Sequence, residues 1–509
     1  MELVASSSSN KRAKAKVEFG DFQTPPRLAH DVCALLLRRR VQPSSILEPN
    51  CGKGSFVLTS LESFPSAQAV IGADINSAYV ADLRSQLHGR SFPAEVRVFQ
   101  GDFYGTDWSP LLQELADPLL VIGNPPWVTN AGLSAIGSSN LPEKSNFQKY
   151  AGLDAITGKS NFDISEWMLI RELEWLDGRR GTLAMLCKTT VARKVLLHAW
   201  KKSKQLLRSE IYLIDAMDYF DAAVDACLLV CDFMPDGRST QCGVHRSLQE
   251  EACASAFGFR EGRLVADLPA YERWGFLSGA QELHQWRSGI KHDCAEAMEL
   301  RKEGQAYRNG LGEVVEIEPH CLYPMLKSSH LANPSLPEPE RWMLVTQRFI
   351  GDDTTSIRHA APRTWDYLQH HGMRLDRRLS SIYKRRPQFS IFGVGEYSFA
   401  PWKVATSAFY KRLDFRVVGP MAGKPVVFDD TCYFMACRSQ EEAECLAQLL
   451  NSRPAREFYN SLVFWDAKRP VTIEILRQLN LAAVARQLGM GEVLVRRLAT
   501  EQPRLFATF

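Results

Sequence analysis

The 509-residue chain lacks an excess of either charge. Lys and Arg number 61 against 58 Asp and Glu, so a polyanionic partner must meet a local patch and not a basic whole. Its twelve cysteines include no CxxC pair and no signal-peptide pattern is present, which argues against a disulfide framework or a structural zinc site. Reduced thiols and a cytoplasmic location are expected. Long hydrophobic runs are also missing: Ala226 to Val230 and Leu119 to Ile122 fall far below the roughly 20 residues that cross a bilayer, so no membrane association is expected. No internal repeat is visible. What remains is ordinary globular composition, 45% hydrophobic and 23% charged, in a chain too long for one core.

Residues 1–18, with Ser6 to Ser9 followed by Lys11, Arg12, Lys14 and Lys16, read as a solvated tail without apolar periodicity. From residue 19 to about 240, short apolar runs alternate with amphipathic stretches, the pattern of β-α-β units around a mostly parallel sheet. Candidate strands are Ser45 to Leu47, Ala69 to Ala73, Val96 to Phe99, Leu119 to Ile122, Thr182 to Leu186, Glu210 to Ile214 and Ala226 to Asp232. Candidate helices include Arg27 to Arg39, Asn76 to Leu87 and Ile164 to Leu176. Beyond Asp236 the alternation gives way to aromatic-rich, turn-punctuated segments with helices at Glu441 to Leu450 and Val471 to Gln487. A mixed α+β second domain over 241–509 is therefore expected.

Parallel sheets gather ligands at the carboxyl ends of their strands, so the residue after each strand carries the functional argument. The first strand is followed by Glu48-Pro49-Asn50-Cys51-Gly52-Lys53-Gly54, where the glycines permit a tight turn close to a ligand and the acid can accept a hydrogen bond. The second ends at Asp74-Ile75, placed to receive the hydroxyls of a ribose, and the third at Asp102-Phe103, an acceptor beside a ring that suits adenine. Glu48, Asp74, Asp102 and Asn124 recur at intervals of 26, 28 and 22 residues, near the length of a β-α-β unit. A third glycine is replaced by Val57, so the pattern suits a single nucleoside with an amino-acid tail better than a dinucleotide. The fourth loop, Gly123-Asn124-Pro125-Pro126-Trp127, is stiffened by two prolines and offers the Asn124 amide oxygen beside a bare backbone carbonyl. Two such acceptors suit an exocyclic NH₂ on a flat base, and Trp127 supplies a stacking face.

Together these motifs resemble those of DNA adenine-N6 methyltransferases in which cofactor motifs precede an Asn-Pro-Pro-aromatic motif and a target-recognition domain follows. The resemblance implies a Rossmann-like class I α/β sheet and S-adenosyl-L-methionine held by Thr24, Glu48, Asn50, Gly52, Gly54, Asp74, Ile75, Asp102, Phe103 and Asn124. It implies catalysis by Asn124, Pro125, Pro126 and Trp127, with Trp replacing the commoner Tyr or Phe, and no metal. Residues 19–26 resemble the segment that closes over the cofactor. Asn161-Phe162 and Lys188-Thr189-Thr190 resemble weaker motifs, and Asp218-Tyr219-Phe220 resembles the site of an aromatic on the far face of the base. An extruded adenine would then lie between Trp127 and Phe220.

The implied partner is double-stranded DNA, with a separately encoded restriction endonuclease as a possible companion. A stretch from Tyr383 to Arg416 places Lys384, Arg385, Arg386, Lys403, Lys411 and Arg412 among aromatics and reads as a DNA face. The turn Phe464 to Pro470 is a second candidate. The same proline-stiffened loop also serves enzymes that modify an RNA amine or a protein glutamine, which stand as the alternative reading beside an inactive DNA-binding module.

Overall fold

The computed structural model describes residues 23–127, 163–279, 284–304, 306–333 and 338–491. The expected tail, residues 19–22 and Asn161-Phe162 lie outside them. The chain divides into two units, Met1–Val265 and Ala266–Phe509.

In the first unit the apolar runs become a ten-stranded sheet among the described residues. Its strands are β1 (Ser45–Glu48), β2 (Ala69–Asp74), β3 (Glu95–Gln100), β4 (Leu119–Gly123), β5 (Gly181–Lys188), β6 (Leu206–Asp215), β7 (Asp225–Phe233), β8 (Gln241–His245), β9 (Ser255–Arg260) and β10 (Arg263–Val265). The spatial order is β10-β9-β8-β6-β7-β5-β4-β1-β2-β3. Strands β1 to β5 are parallel, whereas β7 is antiparallel to both neighbours, so β6 runs in the same direction as β5. The carboxyl ends of β1, β2, β3, β4, β5 and β6 therefore share one edge. All five residues of β4 are buried, as an unbroken apolar strand covered on both faces must be.

Local chemistry starts the crossover helices. Pro26 opens Pro26–Arg38, where its missing N–H costs nothing, and buries Leu28, Val32, Leu35 and Leu36 along one stripe. The side chains of Asn76, Asp163 and Asp215 accept hydrogen bonds from the first turns of Ser77–Leu87, Ile164–Leu176 and Ala216–Phe220. The sheet continues beyond the expected boundary near residue 240, because β8 pairs with β6 and carries the β9–β10 hairpin with it. Gln241-Cys242-Gly243-Val244-His245 has too few apolar residues to announce itself as a strand.

The second unit has two sheets among the described residues. One is four-stranded, β11 (Arg287–Ser288), β20 (Cys432–Cys437), β17 (Trp402–Ser407) and β18 (Arg416–Val418) in that order. The other follows the order β14 (Val314–Val315), β13 (Ala306–Arg308), β12 (Glu299–Glu303), β16 (Arg341–Leu344), β15 (Leu322–Leu326) and β19 (Val427–Phe428). The helix expected over 471–487 is two pieces, Ile473–Leu476 and Leu481–Gln487, because the Asn480 side chain caps a new start by accepting from the Ala483 N–H. No described helix is long and apolar enough to cross a membrane.

Candidate functional site

The glycine loop after β1 is built by its neighbours. Gly52 and Gly54 both have positive φ, and a Cβ on Gly54 would stand 2.3 Å from Leu83 Cδ1, so the chain turns here only with glycine. Gly54 is also the N-cap of Ser55–Ser63 and has no side chain to cap it. Glu48 fills that role from below: its Oε2 accepts from the Val57 N–H at 3.0 Å. The carboxyl is buried, and burial pushes its pKa well above the usual carboxylate range. The structure thus places Glu48 under the loop as a support, not at an open ligand face.

Asp74 joins the loops after β1 and β2. Its Oδ2 accepts from Gly52 N–H and its Oδ1 from Asn76 N–H, each at 2.8 Å. Asn50 is half-buried beside it and Ile75 is exposed. Thr24 reaches the same place through its backbone: its carbonyl accepts from the Ser55 hydroxyl at 2.6 Å, while Gln23 Oε1 accepts from Lys53 N–H at 3.0 Å. Gln23 was not anticipated from the sequence.

Asp102 and Phe103 part company. Asp102 is exposed, with Oδ1 accepting from Tyr104 N–H at 3.1 Å. Phe103 is buried among Tyr104, Trp108, Trp167 and Trp175, its ring centroid 5.4 Å from that of Trp175. The expected open adenine face is thus covered by rings from the helix Ile164–Leu176, which the sequence gave no reason to place there. Glu172, on that helix, is wholly buried with no hydrogen-bond partner for either oxygen, and burial pushes it up to about 8.

The loop after β4 lies on the same sheet edge. Asn124 and Pro126 are half-buried and Pro125 is buried. Trp127 is only 6% exposed, and its indole N–H donates to the Leu186 carbonyl at 3.4 Å. From the end of β5 the Lys188 ammonium donates to the Trp127 carbonyl at 3.0 Å and to Asp163 at 2.6 Å. Lys188 belongs to a weaker motif of the sequence, but its grip on the loop after β4 is not legible there. The N-cap position of Asp163, just ahead of an apolar helix, was the signal that could have found its partner.

Phe220 follows β6 and so reaches the same edge, as expected. It does not stand across a gap from Trp127. The ring centroids are 5.2 Å apart at 69°, edge to face, and both residues belong to the unit's apolar core. A base stacked between two rings needs about 7 Å, twice the carbon contact distance. The expected sandwich is therefore closed: two large apolar rings bury each other when they meet.

The basic residues of the second unit divide in a way the sequence did not reveal. Lys384, Arg385 and Arg386 are exposed, as are Lys411 and Arg412. Lys403 is not: it is 0% exposed on β17, its ammonium donates to the Ala400 carbonyl, and burial lowers its pKa to about 7. It is withdrawn from the DNA face. Arg412 is engaged by Asp414 and the Ala332 carbonyl. Arg469 sits 4.7 Å over Phe409, which brings the 464–470 turn to the loop after β17. Sequence reading missed Phe349 and Ile350, 50% and 49% exposed on a turn held by Asp352, whose carboxylate accepts from the Arg348 and Phe349 N–H groups. Arg386 reaches to within 4.0 Å of a Cβ built on Gly351 in that turn.

Comparison with known proteins decides the family. The chain is 46% identical over 476 residues, 93% of its length and 98% of the relative's, to the type II methyltransferase M.NspV of Nostoc sp. (strain ATCC 29411 / PCC 7524). The chain belongs to the type II methyltransferases. No profile of a known protein family matches it. Among solved structures, the type IIL restriction-modification enzyme MmeI in complex with DNA aligns with a TM-score of 0.49 and 12% identity, over 89% of this chain and 64% of that one. TrmN from Thermus thermophilus aligns with a TM-score of 0.27 and 17% identity, over 44% and 53%.

The sheet of this methyltransferase is the class I, Rossmann-like arrangement, and its cofactor is S-adenosyl-L-methionine. The residues present fit that group. The loop holding Gly52 and Gly54 leaves no room for side chains, and the Asp74 carboxylate stands at the end of β2 beside it, bonded to the Gly52 N–H.

Proposed function

We propose that this methyltransferase is the adenine-N6-specific modification enzyme of a restriction-modification system, acting on double-stranded DNA, with a separately encoded endonuclease as its companion. The observation that carries the reading is the Asn124-Pro125-Pro126-Trp127 loop, on the edge where the glycine loop and Asp74 lie and tied down by Leu186 and Lys188.

Bound S-adenosyl-L-methionine supplies an electrophilic methyl group on sulfonium. Glu48 and Asp74 hold the glycine loop in shape, and Thr24, Asn50, Gly52, Gly54, Ile75 and Asp102 would hold the nucleoside and amino-acid ends, with Phe103 behind them in its cluster of rings. The target adenine leaves the duplex stack at a cost of a few kcal/mol. Asn124 Oδ1 and the Pro125 carbonyl accept the two amine hydrogens, which draws the nitrogen lone pair out of conjugation with the ring. Pro125 and Pro126 keep those acceptors fixed, so positioning is the main catalytic contribution. Trp127 stacks on the base once Phe220 moves aside. Phe220 lies on the five-residue helix Ala216–Phe220, so it is this ring contact that would open for the base.

The second unit reads the target. Lys384, Arg385, Arg386 and Lys411 offer charge to phosphates, and the Phe349–Ile350 turn beside Arg386 offers an apolar contact to a groove. Methyl transfer from labelled cofactor to DNA, RNA and protein acceptors in parallel tests the assignment. Label in duplex DNA at adenine supports it; label in RNA or in protein glutamine, with DNA blank, replaces it with the corresponding alternative.

A further inference from the structure

Two histidines and a carboxylate in the second unit have no part in the chemistry described so far. His370 ends the helix Pro362–His370 and His371 follows it, while Glu313 closes the 309–313 turn after β13. One ligand atom from each of the three lies within 4.8 Å of the others. Their surroundings are built. Asn309 donates to a Glu313 carboxylate oxygen at 2.6 Å and to the Tyr367 hydroxyl at 3.2 Å, while its own Oδ1 accepts from the Leu311 and Glu313 N–H groups. Tyr367 in turn donates to the Ala297 carbonyl and packs on the His371 ring at 4.6 Å.

His371 is 4% exposed. Its Nε2 points to Glu313 Oε2 at 3.0 Å, yet the alignment there makes no hydrogen bond. An imidazole nitrogen and a carboxylate oxygen held this close can share one cation. The opposing charge is Arg374, which is paired with Glu296 at 2.9 Å.

We propose that Glu313, His370 and His371 form a transition-metal site of the zinc and cobalt class that fastens the 309–313 turn to the end of the helix Pro362–His370. Two imidazoles and one carboxylate are a donor set for these ions, with water as a fourth ligand. Donor atoms about 2.0–2.1 Å from a tetrahedral ion stand closer together than 4.8 Å, and the exposed His370 ring closes the difference by rotating inward. The ion would join segments far apart in sequence, so its effect falls on stability and not on methyl transfer.

The test uses the full chain, stripped with chelator and titrated with Co(II) and then Zn(II). The proposal expects one equivalent of Co(II) to give the visible absorption of a four-coordinate site, Zn(II) to displace it, and the melting temperature to rise with metal. His370→Ala and Glu313→Gln are expected to weaken binding about tenfold or more and to abolish that rise, with metal-free melting unchanged. Binding equal to wild type in both variants would move the metal to the cysteines and overturn the proposal. Failure of the wild type to bind at millimolar metal would do the same.

Discussion

The two units of this methyltransferase differ in how function is written into them. In the first, one topological rule sets the positions: parallel strands end on a common edge, so Glu48, Asp74, Asp102 and Asn124 lie along it although they span 77 residues of sequence. In the second, short strands join two sheets without a repeating unit, and composition alone does not say which basic residue faces water. Lys384 to Arg386 and Lys403 look alike in sequence, yet three are exposed and one is buried.

The largest effect expected is at the centre of the first unit. Asn124→Ala should lower turnover on DNA by about 10²-fold or more while cofactor affinity stays within a few-fold, as measured by single-turnover transfer and calorimetry. An equal loss of cofactor affinity would make Asn124 a binding residue only. In the second unit, replacing Lys384, Arg385 and Arg386 together by alanine should weaken DNA binding about tenfold or more and flatten its dependence on salt by about two to three in logarithmic slope. Lys403→Met should leave that slope untouched. If it lowers the slope as the triple variant does, the burial of Lys403 does not hold in solution.

Lys188→Met sharpens the comparison within the first unit. It removes the cation that holds the Trp127 carbonyl and leaves Asp163 buried without its partner. A roughly tenfold fall in kcat with little change in KM for the cofactor is expected, because in the proposed mechanism the disturbed loop holds the base and not the donor. A change confined to KM would place Lys188 in cofactor binding.

The smallest effect concerns Glu172. Its folded-state pKa, about 8, lies above the ordinary 4.5, so the protonated acid costs little below pH 4.5 and stability is shed as pH rises toward 8. Glu172→Gln should therefore be more stable than wild type at pH 8 and nearly equal to it at pH 4, by thermal melting. The reverse order would mean that Glu172 finds a cationic partner in solution.

The sequence was most legible where periodicity and topology act together. Every candidate strand from Ser45 to Asp232 is present, and the Asn124 loop lies on the expected edge, since an unbroken apolar strand such as β4 has no alternative to burial. It was less legible where side chains from distant segments meet. Phe103 follows the expected strand, but the rings of Trp167 and Trp175 that cover it come from 64 and 72 residues further along the chain. Trp127 and Phe220 meet in direct contact and not across a base-sized gap, and that contact depends on a packing angle that no spacing encodes. Lys403 lies between Trp402 and Val404 on a strand with both faces covered, so the period-two alternation that marks a solvated face is missing.

The central claim, that the Asn124 loop delivers a methyl group to adenine N6 in duplex DNA, is tested most directly by sequencing DNA with modified-base detection from a host expressing the chain. The account predicts N6-methyladenine at one recurring sequence, lost with Asn124→Ala. Methylation of cytosine, or unmodified DNA from a host producing folded protein, would contradict it.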